Sequence, residues 1–349
     1  MTTAAEAVEL AEFGQRRRSR RKNVLVLLSF VLTAAVVAAL STGAIPLSLL
    51  DALRDDAERA MQRSVLLDIR SPRVVLAAAV GAALAIAGAA LQGLFRNPLA
   101  DPGLIGVSSG AAVGALSMIV LGGSLVVSAT WMPYLVPAAA VAGAGAVTLF
   151  LYAFARRYGN FSVTTMLLVG IAINALATVA IGAFEYLSDD TQLRTLVFWM
   201  MGSFGRATWP AVLPTLTIIV LGAVLLLRSA RALDVLQLGE AEAHYVGIDV
   251  DGLKRRIILS AAAAVGAGVA VSGIIAFVGL VVPHLVRLIG GAGHRYVLLG
   301  SALLGASLCV IADMVARTVV VPAELPVGLV TSALGAPFFL WLIARVRIR

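Results

Sequence analysis

Charge is scarce in this chain. Asp, Glu, Lys and Arg make up 13% of its 349 residues and hydrophobic residues 60%, so it cannot clothe a water-facing globule and needs lipid as its solvent. Lysine is rarer still, with Lys22 and Lys254 the only two. Neither follows a glycine-rich phosphate loop, which removes the lysine that nucleotide phosphates need and excludes a built-in ATPase. The single cysteine, Cys309, excludes an internal disulfide and reads as a small core residue. His244, His284 and His294 lack the spacing of a metal or haem ligand set. Serine and histidine do not assemble a nucleophile with its base, and there is no His-Glu-x-x-His, so no enzyme signature is visible. Charged groups are nearly missing from the middles of the apolar runs; a proton-driven carrier usually needs them as a relay, so the energy source is expected outside this chain.

What is present is a series of apolar stretches, each long enough for the ~20 helical residues that cross a ~30 Å hydrocarbon core. They are continuously apolar rather than alternating, which selects helices over barrel strands. The net charge of +8 has no soluble domain to carry it. Its arginines cluster at the ends of apolar runs, where orientation in a membrane explains them better than nucleic acid does. Residues 16 to 42 have some features of a signal peptide, but the apolar part is too long and many spans follow, so it reads as the first helix.

Ten spans are expected. The cluster Arg16-Arg17-Arg18-Ser19-Arg20-Arg21-Lys22 holds residues 1–23 in the cytoplasm, and span one covers Val24 to Leu40. An external loop of mixed sign, with Asp51, Arg54, Asp55, Asp56, Glu58 and Arg59, leads to span two, Pro72 to Leu94. Span three runs from Ile105 to Leu121, span four from Pro133 to Phe154 and span five from Thr165 to Tyr186. The loop from Ser188 to Arg194 and an amphipathic piece, Leu196 to Phe204, precede span six, Trp209 to Leu227. Residues 232–252 form the longest polar cytoplasmic segment. Spans seven and eight share Ile257 to Ile289, too long for one crossing, with a tight external turn expected at Ser272-Gly273. Spans nine, Tyr296 to Val319, and ten, Pro326 to Ile343, return both termini to the cytoplasm. Residues 24–349 are therefore expected to be one transmembrane domain.

Arg73 to Ala82 resembles Arg256 to Ala267 with a two-residue gap. In this topology one runs inward and the other outward, which fits an inverted repeat of spans two to five with seven to ten; shared alanine-rich composition is the alternative. Ser71 can cap helix two and Pro72 suits its first turn. Arg70 and Arg73 then put positive charge at a helix N-terminus, against the macrodipole, and residues set against a local rule are functional candidates. Arg317 has a structural alternative, because it favours the C-terminal dipole of helix nine and can pair with Asp313. Asp101 is a plausible cap, with Pro102 in the first turn of helix three. Gly106, Gly110, Ala111 and Gly114 read as a small-residue packing face. The stretch Leu233 to Gly247 sets Leu233, Leu236, Ala243 and Val246 among Gln237, Glu240, Glu242 and His244, as short amphipathic helices or as a solvated loop.

The run from Gln92 to Gly106 resembles the signature of the permease subunits of type II ABC importers, the family that takes up iron-siderophores, haem and cobalamin. The likeness continues in order through Ile69-Arg70-Ser71-Pro72-Arg73, Trp199 to Phe204, Leu238-Gly239-Glu240, Phe277 to His284, Ala312 to Arg317 and Glu324 to Gly328. The resemblance implies an all-α permease of ten helices, a homodimer around a central path, two ATP-binding subunits that hold ATP and Mg, and a periplasmic binding protein above. In the resembling cobalamin permease, arginines matching Arg70, Arg73 and Arg317 meet glutamates on the two lobes of the binding protein, which nominates these three for docking. It also implies that Leu236, Gly239, Glu240, Ala243 and Gly247 couple to the ATPases, with Gly239 and Gly247 permitting turns. The cytoplasmic gate would fall at Val163 and Thr164, with ordinary capping by Ser162 as the alternative. Asp101-Pro102-Gly103-Leu104-Ile105-Gly106 departs from siderophore permeases toward haem and cobalamin permeases, and Gly93-Leu94-Phe95-Arg96 leans toward haem. The expected function is ATP-driven haem import across the bacterial inner membrane, with a ferric siderophore or cobalamin as alternatives. A self-sufficient secondary carrier and a membrane-embedded enzyme are the readings of other classes.

Overall fold

A computed structural model describes residues 4–43, 60–122, 131–157, 163–320 and 322–346. Among them all regular structure is helical. The helices are α1 (Ala4–Ser41), α2 (Ser71–Leu94), α3 (Val107–Leu121), α4 (Met132–Arg157), α5 (Val163–Leu187), α6 (Asp190–Met200) and α7 (Trp209–Arg228). They continue with α8 (Ala230–Leu236), α9 (Glu240–Tyr245), α10 (Val250–Ser272), α11 (Val278–Gly290), α12 (His294–Ala316) and α13 (Val327–Val346). Among the described residues seven helices are long and apolar enough to cross a bilayer, and the shorter apolar α3, α11 and α13 bring the crossing segments to the expected ten. The acidic residues from Asp51 to Glu58, with Arg54 and Arg59, lie outside the described residues, as do Ser162, Arg347 and Arg349.

Contacts at the helix ends fix the alternation. Arg70 Nη1 donates to the carbonyls of Leu40 and Ser41, Trp209 Nε1 to Leu67 O, Ser203 N to Ser272 O and Leu325 N to Ala316 O, gathering those ends at one face. At the opposite face Arg21 Nε donates to Gly290 O and Gln237 Nε2 to Gly93 O. These are called the Arg73 face and the Lys254 face below.

The helix α2 is the axis of the bundle, buried along nearly its whole length against α12, α10, α11 and α7. Small residues allow this. Gly81 of α2 lies against the Gly305 backbone of α12, and Gly88 against the backbone of Gly279, positions where a Cβ would overlap main-chain atoms. Cys309 is fully buried beside Gly81, as its core reading expects.

Two expected crossings are interrupted. The 13 residues of α11 rise only about 20 Å, short of a full crossing. Residues 273–277 supply the rest: instead of a tight turn at Ser272-Gly273, the chain leaves α10 with Gly273 at φ +72° and enters α11 at Phe277 with φ +68°. The matching break after α2 carries Asp101, whose Oδ1 accepts from Gly103 N at 2.8 Å; it caps the 3-10 turn Pro102–Ile105, not α3 as expected, because Gly106 separates the two. The break then turns through Gly106 at φ +77° into the 15-residue α3. The two breaks meet: Gly279 lies against Asp101, Pro102 and Leu84 O. Irregular backbone at membrane depth is tolerable when protein surrounds it, and α2 provides that wall.

Two local expectations are corrected. Ser71 is not a cap; helical structure begins at Ala60, widens into a π-helical turn at Val65–Arg70 and continues into α2, and the Ser71 hydroxyl donates back to Leu66 O at 2.7 Å. Arg70 and Arg73 therefore do not oppose a free helix N-terminus. The amphipathic piece starts earlier than Leu196, because Asp189 and Gln192 form a reciprocal capping box that opens α6 within the expected loop.

Candidate functional site

At the Arg73 face, α2, α12 and the loop before α13 bring five charged side chains together. Arg73 Nε donates to both Asp313 oxygens at 3.1 and 3.0 Å, and Nη2 to Asp313 Oδ1 at 2.9 Å. The outer edge of the same guanidinium grips Glu324, with Nη1 to Oε1 at 2.9 Å and Nη2 to Oε2 at 3.0 Å. A planar fork with five donors suits two carboxylates at once. Asp313 is 1% exposed, whereas the Glu324 side chain is 48% exposed. One carboxylate is thus structural and the other can be reached from outside.

The three nominated arginines converge here, but none projects freely from the face. Arg70 and Arg73 are buried. Arg70 binds the C-terminal carbonyls of α1, where the helix dipole welcomes a cation. Arg317 Nη2 donates to Ala39 O, and its Nε lies 3.9 Å from Asp313 Oδ2, the expected i,i+4 pairing at its loosest. Glu324, which the charge pattern does not single out, is the exposed member of this group. A local signal for it was available in the Glu324-Leu325-Pro326 run, where an acid immediately precedes an apolar helix.

At the Lys254 face the amphipathic stretch forms two short helices, α8 and α9, joined through Gly239 at φ +142° and left through Gly247 at φ +88°. These are backbone conformations that glycine alone adopts cheaply. The apolar candidates Leu236 and Ala243 face the chain's own core. Leu238, Tyr245 and Val246 face out, with Tyr245 90% exposed, beside the exposed Gln237, Glu242 and His244, so the outer surface is mixed and its apolar part was only partly identified by periodicity. Glu240 holds the buried Lys254 at 2.7 Å, tying α9 to α10. Gln237 donates to Gly93 O at the end of α2, and Asp234 accepts from the backbone N of His294 at 2.8 Å and meets its Nδ1 at 2.7 Å, at the start of α12. Buried nearby, Gln92 donates to Leu280 O and accepts from Arg287.

The gate candidates are the start of α5. Thr164 is exposed, and the side chain of Val163 lies outside the described residues. Among the described residues no three His, Cys, Asp or Glu side chains group as a metal site would require. Nothing described pairs a nucleophile with a base. The arrangement can bind and orient charged and apolar groups of a partner.

Comparison with known proteins agrees. The chain is 47% identical over 325 residues to the hemin transport system permease protein HmuU of Yersinia pestis, covering 92% of this chain and 96% of that protein. It is 41% identical over 332 residues to the vitamin B12 import system permease protein BtuC of Vibrio parahaemolyticus, covering 95% and 96%. A solved structure described as an inward-facing metal-chelate type ABC transporter superposes with a TM-score of 0.83 at 32% identity, covering 93% of this chain and 99% of that one. The fold is that of a type II ABC importer permease, a multi-pass membrane subunit that is not catalytic by itself. The FecCD transport family pattern matches residues 30–345, nearly the whole helical bundle, and the chain belongs to that family.

Proposed function

We propose that two copies of this chain form the permease of an ATP-driven haem importer in the bacterial inner membrane, with both termini in the cytoplasm. In this reading the Arg73 face looks outward and receives a periplasmic binding protein, and the Lys254 face receives two ATPase subunits that hold ATP and Mg. The basic cluster from Arg16 to Lys22 on the Lys254 side supports the orientation. The broad exposed apolar faces of α5, at Leu168, Leu176 and Val179, and of α13, at Leu334 and Leu340, are surfaces for a second copy and the path between the two. The 47% identity to a hemin permease favours haem.

One observation carries the docking role: Arg73 divides its donors between a buried and a half-exposed carboxylate. An acidic group on a binding protein would enter beside Glu324 and share or replace it on Arg73. Arg70 and Arg317 contribute local positive potential and hold α1 in place. At the other face Gly239 and Gly247 shape the turns, Glu240 fixes α9, Leu236 and Ala243 anchor the two helices to the core, and Leu238, Tyr245 and Val246 meet the ATPase. Val163 and Thr164 would stand at the cytoplasmic gate.

The test is ATPase stimulation of the reconstituted complex by binding protein loaded with haem, a ferric siderophore or cobalamin. Haem should stimulate most. Cobalamin is the second reading, supported by the 41% identical vitamin B12 permease, and stronger stimulation by it would replace haem as cargo. Uptake that persists with inactive ATPase would instead support a secondary carrier.

A further inference from the structure

A cavity of about 940 Å³ lies between α4 and α7, with α10 as its floor and α6 across its end. It lies within the volume range of small-molecule sites. Both α4 and α7 pack on α10 while standing apart from each other, and the groove is the space between them. Its walls are one stripe of each helix: Tyr134, Pro137, Ala138 and Val141 on α4, and Pro210, Ala211, Pro214 and Ile218 on α7. Val141 and Ile218 are exposed, so the groove opens sideways from the bundle rather than into its interior. Of the helices proposed above to face the second copy, α5 does not line it, and α13 reaches it only through the residues that lead into it, Leu325 and Pro326.

Three observations identify what would fill it. The first is depth: from Pro210 to Ile218 a helix rises about 12 Å, most of the ~15 Å thickness of one hydrocarbon leaflet. The second is level. Trp131 and Tyr134, both at least half exposed, stack edge to face at the mouth, and Trp209 begins α7 at the same end; such aromatic residues mark the boundary between acyl chains and headgroups. The third is charge. Arg206 lines the mouth, is exposed, and among the described residues meets no carboxylate. Arg194 adds a second cation 5.8 Å over the Phe198 ring, which also lines the groove. Glu324 reaches the rim with its charge committed to Arg73.

We propose that this groove is a binding site for an anionic phospholipid of the leaflet on the Arg73 side: an acyl chain lies between α4 and α7 and the phosphate sits on Arg206. The bound chain fills the gap between two helices that share only α10. The site is independent of the cargo.

The test uses the full complex with its ATPase subunits, exchanged into detergent and equilibrated with equal amounts of palmitoyl-oleoyl phosphatidylglycerol and phosphatidylcholine. Lipid retained per permease subunit is then counted by native mass spectrometry. The expected result is preferential retention of phosphatidylglycerol. Arg206→Gln should cut that preference about fivefold, the equivalent of the ~1 kcal/mol one surface arginine contributes toward anionic lipid. Ala138→Trp, which fills the groove from an exposed wall position, should lower retention of both lipids. Absence of preferential retention, or equal preference in wild type and Arg206→Gln, overturns the proposal. So does displacement of phosphatidylglycerol by haemin that is lost in Ala138→Trp, which would make the groove a cargo site. Disulfide formation between Ala138→Cys residues of the two protomers would overturn it too, by showing that a second copy covers the groove.

Discussion

The two faces of this permease hold the same pair of helices by different means. At the Arg73 face, α2 and α12 are joined by a buried Arg73–Asp313 pair, and the group left within reach of a partner is a carboxylate, Glu324. At the Lys254 face, α2 and α12 are held by α8, through Gln237 on Gly93 O and Asp234 on His294, and the apolar Leu238, Tyr245 and Val246 are within reach of a partner alongside Glu242 and His244. Charge steers encounters and fixes register, at modest net affinity when the groups are exposed. Buried apolar area gives a persistent contact. The exposed apolar trio suits the Lys254 face to the longer-lived contact of the two.

Both faces are built on the packed pair α2 and α12, so the largest expected effect lies between them. Gly81→Val puts a branched side chain into the Gly305 backbone, where overpacking costs about 3 kcal/mol or more. It should abolish the monodisperse peak of the purified permease. Gly145→Ala and Gly182→Ala, in open space, should leave that peak unchanged.

Next comes Arg73→Ala, which leaves the Asp313 carboxylate buried with only the distant Arg317; loss of one partner of such a pair costs about 3–5 kcal/mol. Thermal unfolding of the purified protein should report it, and adding Asp313→Asn should recover part of the loss. If the double variant is as unstable as the sum of the two single variants, the network is not a coupled unit.

Glu324→Gln separates docking from folding. With its carboxylate half-exposed, stability should change by about 1 kcal/mol or less, while the association rate of the binding protein should shift and lose part of its salt dependence. An unchanged rate would remove Glu324 from the docking surface. The smallest effect on stability is expected for Tyr245→Ala with Val246→Ala, both exposed. Folding should be unaffected, yet ATPase subunits should co-purify in lower yield. Retained yield with normal transport would place the landing surface elsewhere.

Much of this was legible in the sequence because its causes are local. Apolar runs of bilayer length gave the ten crossings, Asp101 before Pro102 gave a cap, though of the 3-10 turn Pro102–Ile105 rather than of α3, and Gly239 and Gly247 gave turns at positive φ. Ser71 misled because a cap is recognised by composition, and the same Ser-Pro pair also fits a helix that is already under way and widened by a π-turn. The exposed face of α8 and α9 was half legible: periodicity found the buried Leu236 and Ala243, but exposure at Tyr245 depends on what packs behind the helix.

Composition and hydropathy determined by themselves that the chain lives in lipid and is helical, since each follows from residue types and run lengths. Only tertiary structure decided that Arg73 faces inward onto Asp313 and Glu324, residues 240 and 251 positions away. The same holds for the meeting of the two broken crossings at Gly279 and for the open groove between α4 and α7. Contacts at such separations follow from the register of helices packed through small residues. No local pattern of charge or hydropathy encodes that register.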